Sequence, residues 1–173
     1  MHAWRRLRGL GAHYVQQSVC LLPDRDETSR AVTRLLARVN DEGGTGRVIH
    51  LALTDEGEER WLTETLSAER DDEYGEVVAR TGEFLAEIAM ERGRGRATYT
   101  EVEESDVDLE RLRKWLAQIG ARDYFSADGY AQAAGAVERC AAALAQFEDE
   151  ALEHELAEPK PQARRLRAVE GEQ

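Results

Sequence analysis

Cysteine is scarce in this 173-residue chain: Cys20 and Cys140 are the only two, far apart and in no C-x-x-C pattern. That spacing excludes a disulfide-stapled scaffold and a Cys-based metal site. Four histidines (His2, His13, His50, His154) stand singly, without H-x3-H or H-E-x-x-H spacing, so neither a bound metal nor a cofactor is expected. Long apolar runs are also missing, and nothing approaches the roughly 20 residues needed to span a bilayer. Residues Met1–Leu10 are basic, but no apolar stretch of about 7–15 residues follows them as in a signal peptide. A cytoplasmic location is the expectation. Walker A, G-x-S-x-G and G-x-G-x-x-G motifs are absent, and no enzymatic activity is expected.

What the chain has in excess is negative charge, a net of −12, and it is unevenly placed. Residues 1–50 carry 8 basic and 5 acidic groups, a net of +3; residues 51–158 carry 11 and 28, a net of −17; residues 159–173 carry 4 and 2, a net of +2. The middle of the chain would repel a polyanion, whereas the first fifty residues would not.

Periodicity predicts a short helix over Ala3–Leu10 with Gly11 as its left-handed cap. Two short strands follow over His13–Leu22, turning near Gln16–Ser18 and stopped by Pro23. Asp24 and Glu27 are read as a capping box for a helix carrying Val32, Leu35, Leu36 and Val39, ended by Gly43–Gly44. Val48–Leu53 reads as a strand. Beyond it come two helical segments marked by Trp61–Leu66 and Tyr74–Ile88, a basic loop at Arg92–Arg96, a short strand over Ala97–Val102, and a helix on Leu109–Ile119. A last helix from about Ser126 carries Tyr130, Ala133, Val137, Cys140, Leu144, Phe147 and Ala151 at steps of three and four. Such a stripe must pack on another helix.

The expected fold class is α+β: a truncated ferredoxin-like half (βαββαβ minus its first strand) over 1–53, a helical half over 54–158, and a disordered tail over 159–173. The missing strand is the central one, so residues upstream are expected to supply it, with Ala97–Val102 as the in-chain substitute.

Several of these segments resemble the amino-terminal domain of the bacterial chromate-resistance regulator ChrB. The opening Trp4-Arg5-Arg6-Leu7-Arg8-Gly9-Leu10-Gly11-Ala12, then Ser18-Val19-Cys20-Leu21-Leu22-Pro23, look like that family's Trp-Arg helix, L-G-A turn and hairpin ending in L-P. Asp72-Glu73-Tyr74-Gly75-Glu76 resembles its acidic helix, and Ala121-Arg122-Asp123-Tyr124-Phe125 its later A-R-D-aromatic-aromatic turn. The resemblance covers roughly residues 3–148 and implies a cytoplasmic regulatory or accessory protein of chromate resistance, contacting DNA or sensing the oxyanion. Longer members carry a carboxy-terminal domain that this chain lacks. Two other readings stand beside it: a protein-interaction module that dimerises through the last helix, and a metal-dependent nuclease.

The candidate residues for nucleic acid or oxyanion are Arg5, Arg6 and Arg8, because guanidinium groups bind phosphate and chromate-like anions in a bidentate manner. Arg122 joins them on the resemblance alone. Arg92, Arg94 and Arg96 read as a solvated linker. Arg164, Arg165 and Arg167 belong to the tail. Cys140 falls on an apolar stripe and Cys20 between apolar neighbours, so both are expected to pack as small hydrophobes. The acidic run Glu101–Asp108 reads as the start of a helix.

Overall fold

A computed structural model describes residues 3–94 and 98–157. The expected tail at 159–173, and Gly95 and Arg96 of the expected basic loop, lie outside the described residues. Among the described residues seven elements follow one another: α1 (Ala3–Gly9), β1 (His13–Gln16), β2 (Val19–Leu21), α2 (Asp26–Asp41), α3 (Glu56–Gly93), α4 (Tyr99–Gly120) and α5 (Gly129–Ala157). The architecture is mixed but mostly helical, with β1 and β2 forming one antiparallel hairpin. No described helix is long and apolar enough to cross a membrane.

Helices α3, α4 and α5 pack on one another as a bundle. The apolar positions dictate it. Tyr74, Val77, Thr81, Phe84 and Ile88 recur along α3 at steps of three and four and are buried. Val102, Leu109, Leu112 and Ile119 are buried on α4 at steps of seven, three and seven, one face of a helix. On α5 the stripe predicted from periodicity is buried from Ala133 to Ala151, and small residues at Ala133 and Ala136 bring the helices close. Its partners are α3 and α4 of the same chain, so that seam is filled internally. Tyr130, at the head of the stripe, stays half exposed and meets the Tyr74 ring edge-on.

Cys140 sits in the middle of this core with no exposure, its thiol 3.6 Å from the Thr81 carbonyl oxygen. Burial raises its pKa above the usual thiol value, and Arg139 offsets this only in part. Alkylation of the native protein should therefore reach half-buried Cys20 first and Cys140 only in denaturant. Mass mapping of both thiols over time checks this, and native labelling of Cys140 as fast as in denaturant would place it outside the core.

The structure corrects several expectations. The two helical segments after residue 54 are one 38-residue helix, about 57 Å long at 1.5 Å per residue. Asp55 starts it by accepting hydrogen bonds from the Gly57 and Glu58 amides at 2.8 and 3.0 Å. Helix α2 is opened by Arg25, whose amide donates to the Thr28 hydroxyl at 3.1 Å, and not by the Asp24–Glu27 box. Asp24 is occupied elsewhere, accepting from Ser29 and pairing with His50. Of the strand expected over Ala97–Val102, Ala97 lies outside the described residues and the rest is helical: Thr98 caps α4, which begins at Tyr99, and Val102 is a buried core residue of that helix. The last helix starts at Gly129, three residues later than expected.

The largest difference concerns Val48–Leu53. These residues have no regular structure, and Ile49 and Leu51 are about as exposed as apolar side chains become, at 75% and 69%. A strand exists only by pairing with a neighbour. Among the described residues β2 pairs with β1 alone, so the sheet is a hairpin and not the larger ferredoxin-like one.

Candidate functional site

Two features stand out: a joint that ties the amino-terminal elements to the bundle, and an arginine-rich surface beyond it.

The joint begins at Gly11. Helix α1 ends there because glycine accepts φ +76, letting the Ala12 amide reach back to the Leu7 carbonyl at 3.1 Å. The turn lands on α3 and on the connection between α4 and α5. Tyr124 donates its hydroxyl to the Leu10 carbonyl at 2.7 Å, and Arg25 stacks on the Tyr124 ring while donating to the Tyr124 carbonyl at 2.6 Å. One residue pair on, His13 Nδ1 lies 2.7 Å from Glu69 Oε1 on α3.

At the centre is Arg70, whose side chain is only 8% exposed. Its Nε lies 3.0 Å from Glu73 Oε2, and its Nη2 is 3.5 Å from Glu69. Glu73 Oε2 is also 2.9 Å from Arg122 Nη2. The pairs are close, yet Arg70 Nε, Glu73 Oε2 and Arg122 Nε fall outside hydrogen-bonding geometry, so attraction between charges dominates. Beside them Tyr74 donates to Asp123 Oδ2 at 3.1 Å. Burial, with the Asp123 carboxylate next to it, pushes the Tyr74 phenol above its ordinary value. Asp123 also accepts from the Ala127 amide, and Asp71 from the Gly129 amide at 2.7 Å. Two carboxylates thus hold the positive end of α5.

This geometry brings together three sequence segments that lie far apart in the chain. Glu73 and Tyr74 of the acidic segment meet Arg122 and Asp123 of the later turn, and Leu10 and Gly11 of the opening segment close over both. Arg122 is therefore engaged with Glu73 and with the Gln118 carbonyl, facing α3, and is not grouped with Arg5, Arg6 and Arg8.

Those three arginines are exposed on α1. Arg5 and Arg8 lie 5.5 and 5.7 Å over the ring of Trp4, itself half exposed, and Arg8 also lies over Tyr14. The stacking holds the guanidinium groups near the surface while leaving their edges in solvent.

A contrast that composition does not reveal separates the two parts of the molecule. In the bundle, Arg70, Arg80, Arg92, Arg94, Arg111, Arg113 and Arg122 each pair with a carboxylate, and among the described residues Arg60 and Arg139 do not. Among the described residues, none of Arg5, Arg6, Arg8, Arg25, Arg30, Arg34, Arg38 and Arg47 is paired with one. Sequence reasoning singled out the α1 arginines and passed over Arg30, Arg34 and Arg38. Their spacing of four residues was the available signal.

A cleft of about 330 Å³ is lined by Asp71, Tyr74, Asp128 and Gly129 and presents carboxylates, which suits no anion. Among the described residues no three His, Cys, Asp or Glu side chains converge as a metal site.

No curated protein and no solved structure gives a significant match to the chain. One protein-family model does match, described as "Protein ChrB, N-terminal", and it covers residues 1–158, the hairpin, the joint and the bundle together. The chain belongs to this ChrB amino-terminal family, and with it to the proteins associated with chromate resistance.

Proposed function

We propose that this protein is a non-enzymatic regulatory or accessory protein of chromate resistance, working in the cytoplasm and binding tetrahedral oxyanion groups through α1. The observation that carries the reading is the set of exposed, carboxylate-free guanidinium groups at Arg5, Arg6 and Arg8 on an otherwise strongly acidic protein. In a chain of net charge −12, a surface arginine has many carboxylates within reach, and Arg80, Arg111 and Arg113 of the bundle are each paired with one. Arginines left free keep their full attraction for phosphate or chromate oxygens. The joint has a different task in this reading. The His13–Glu69 pair and the hydrogen bonds from Tyr124 to Leu10 and from Arg25 to Tyr124 fix the α1–hairpin unit on the bundle, so that anion binding and the bundle move as one body.

Phosphates of DNA and free chromate share this chemistry, and a binding experiment separates them. Fluorescence anisotropy with duplex DNA from upstream of the gene, measured over a salt series, reports phosphate contacts. Replacing Arg5, Arg6 and Arg8 together with Gln is expected to lower the log–log salt slope by roughly 2.7, three contacts' worth. Chromate binding by calorimetry, weakened by the same substitutions without any DNA binding, would assign the arginines to the free oxyanion. An unchanged slope together with unchanged chromate binding would make them a solvated helix face and end this reading.

A further inference from the structure

The arginine stripe of α2 has no role in the site described above, and it is better ordered for a polyanion than α1 is. Arg30, Arg34 and Arg38 follow one another at steps of four on a 16-residue helix, and all three are exposed. Residues four apart lie one above the other, so the three guanidinium groups form a row spanning about 12 Å. The opposite side of the helix buries Thr28 and Leu35, with Val32 and Val39 half buried, which fixes the row outward.

The row is unpaired. On α4, Arg111 and Arg113 each have an acidic residue three positions earlier and pair with it. Arg30 also has one, Glu27, but no ion pair forms between them, and the residues three before Arg34 and Arg38 are Ala31 and Leu35. Carboxylates sit at the ends of this face: Asp26 and Glu27 in the first turn, where the helix dipole favours negative charge, and Asp41 and Glu42 at the other end. The stretch between them is purely cationic, and α1 packs against this helix, adding Arg5, Arg6 and Arg8 to the same unit.

We infer that α2 is a second anion-binding element, and that Arg30, Arg34 and Arg38 contact the phosphate backbone of double-stranded DNA. This rests on the oxyanion reading of α1 and names the partner. A single small oxyanion is satisfied by one or two guanidinium groups and gives no reason for a 12 Å row. A phosphate backbone does: duplex DNA carries a charge every ~1.7 Å of its axis, and its major groove is about 12 Å wide between the flanking strands. Contacts of this kind position a protein without reading sequence. The acidic bundle, with its net of −17 over residues 51–158, would be turned away from the duplex.

The test uses the full chain and two duplexes, one from upstream of the gene and one of shuffled sequence. Wild type is expected to bind both with a salt slope of up to about 5, six contacts' worth. The Arg30→Gln, Arg34→Gln, Arg38→Gln triple variant is expected to lose roughly 2.7 of that slope on both duplexes alike. The corresponding triple Lys variant keeps the charge and should retain the slope. Circular dichroism and the thermal midpoint establish that each variant is folded, which the exposure of these positions favours. If the Gln variant keeps the wild-type slope while the α1 variant loses it, the stripe is a solvated surface and the α1 reading survives. Should the α2 variant lose slope and the α1 variant not, this inference stands and the α1 reading falls. Folded wild type that binds neither duplex at low salt overturns the inference, and binding to phosphatidylglycerol vesicles in place of DNA does the same by changing the partner.

Discussion

Replacement of Arg70 by Met is expected to destabilise the protein by about 3–5 kcal/mol, the range for removing one partner of a buried ion pair. Methionine keeps a long flexible stem, so the packing is largely conserved and the measurement isolates the charge. Arg70 is 8% exposed and stands between Glu69 and Glu73, while Glu73 is shared with Arg122. Without the guanidinium, Glu73 keeps one cationic partner in place of two, and Glu69 keeps His13 alone. Removing both charges, with Glu73→Leu added, should recover part of the loss, because no uncompensated carboxylate is left buried between the helices. Arg122, more exposed at 17%, can then turn to water. Urea unfolding of the single and double variants checks this. A single-variant loss below about 1 kcal/mol would mean that the joint is hydrated and its pairs are worth no more than surface ones.

The second large effect is expected at Gly11. Its φ of +76 is a region that an L side chain enters at a cost of about 1–2 kcal/mol. A methyl group there would also stand 3.0 Å from Arg70 Nη1 and 3.1 Å from both Cβ and the carbonyl oxygen of Arg122. Arg122 is fixed by Glu73 and its backbone cannot yield freely, so overpacking adds about 1–3 kcal/mol. Gly43 provides the control. It has nearly the same φ, +78, but nothing lies within 4 Å of the position a methyl would take. Gly43→Ala should therefore cost only the backbone strain, and Gly11→Ala two or more times as much. Equal losses in thermal or urea unfolding would show that the joint gives way without cost, and that it does not hold the amino-terminal unit in one position.

Local order explains why much of this molecule is legible in its sequence. The stripes on α4 and α5 and the end of α1 at Gly11 depend on residues three and four apart or on one glycine, and both kinds of signal are written along the chain. The turn at Gln16–Ser18 is likewise local, set between two short runs of strand formers. The expected break between Leu66 and Tyr74 was not there, because the polar residues between them, Glu69, Arg70 and Glu73, have uses in the joint that periodicity does not record. Val48–Leu53 shows the converse. Its composition is that of a strand, but strand formation depends on a neighbouring backbone, which no single segment encodes.

By itself the sequence determined the α+β composition, the helical identity of most of residues 54–157, and the segregation of positive charge into the first fifty residues. It also carried the segments that mark the family. Tertiary structure alone decided which charges are spent and which are free. Glu73 and Arg122, Tyr74 and Asp123, and His13 and Glu69 are each about fifty residues apart in the chain; the first two pairs meet when α3 packs on the α4–α5 connection, and the third when the hairpin closes on the bundle. The packing of α3 on the α4–α5 connection engages Arg122 with Glu73, while Arg5, Arg6 and Arg8, with Arg30, Arg34 and Arg38, face solvent. The physical reason is that an ion pair forms across a few ångströms of space, whereas periodicity reports only neighbours along a helix.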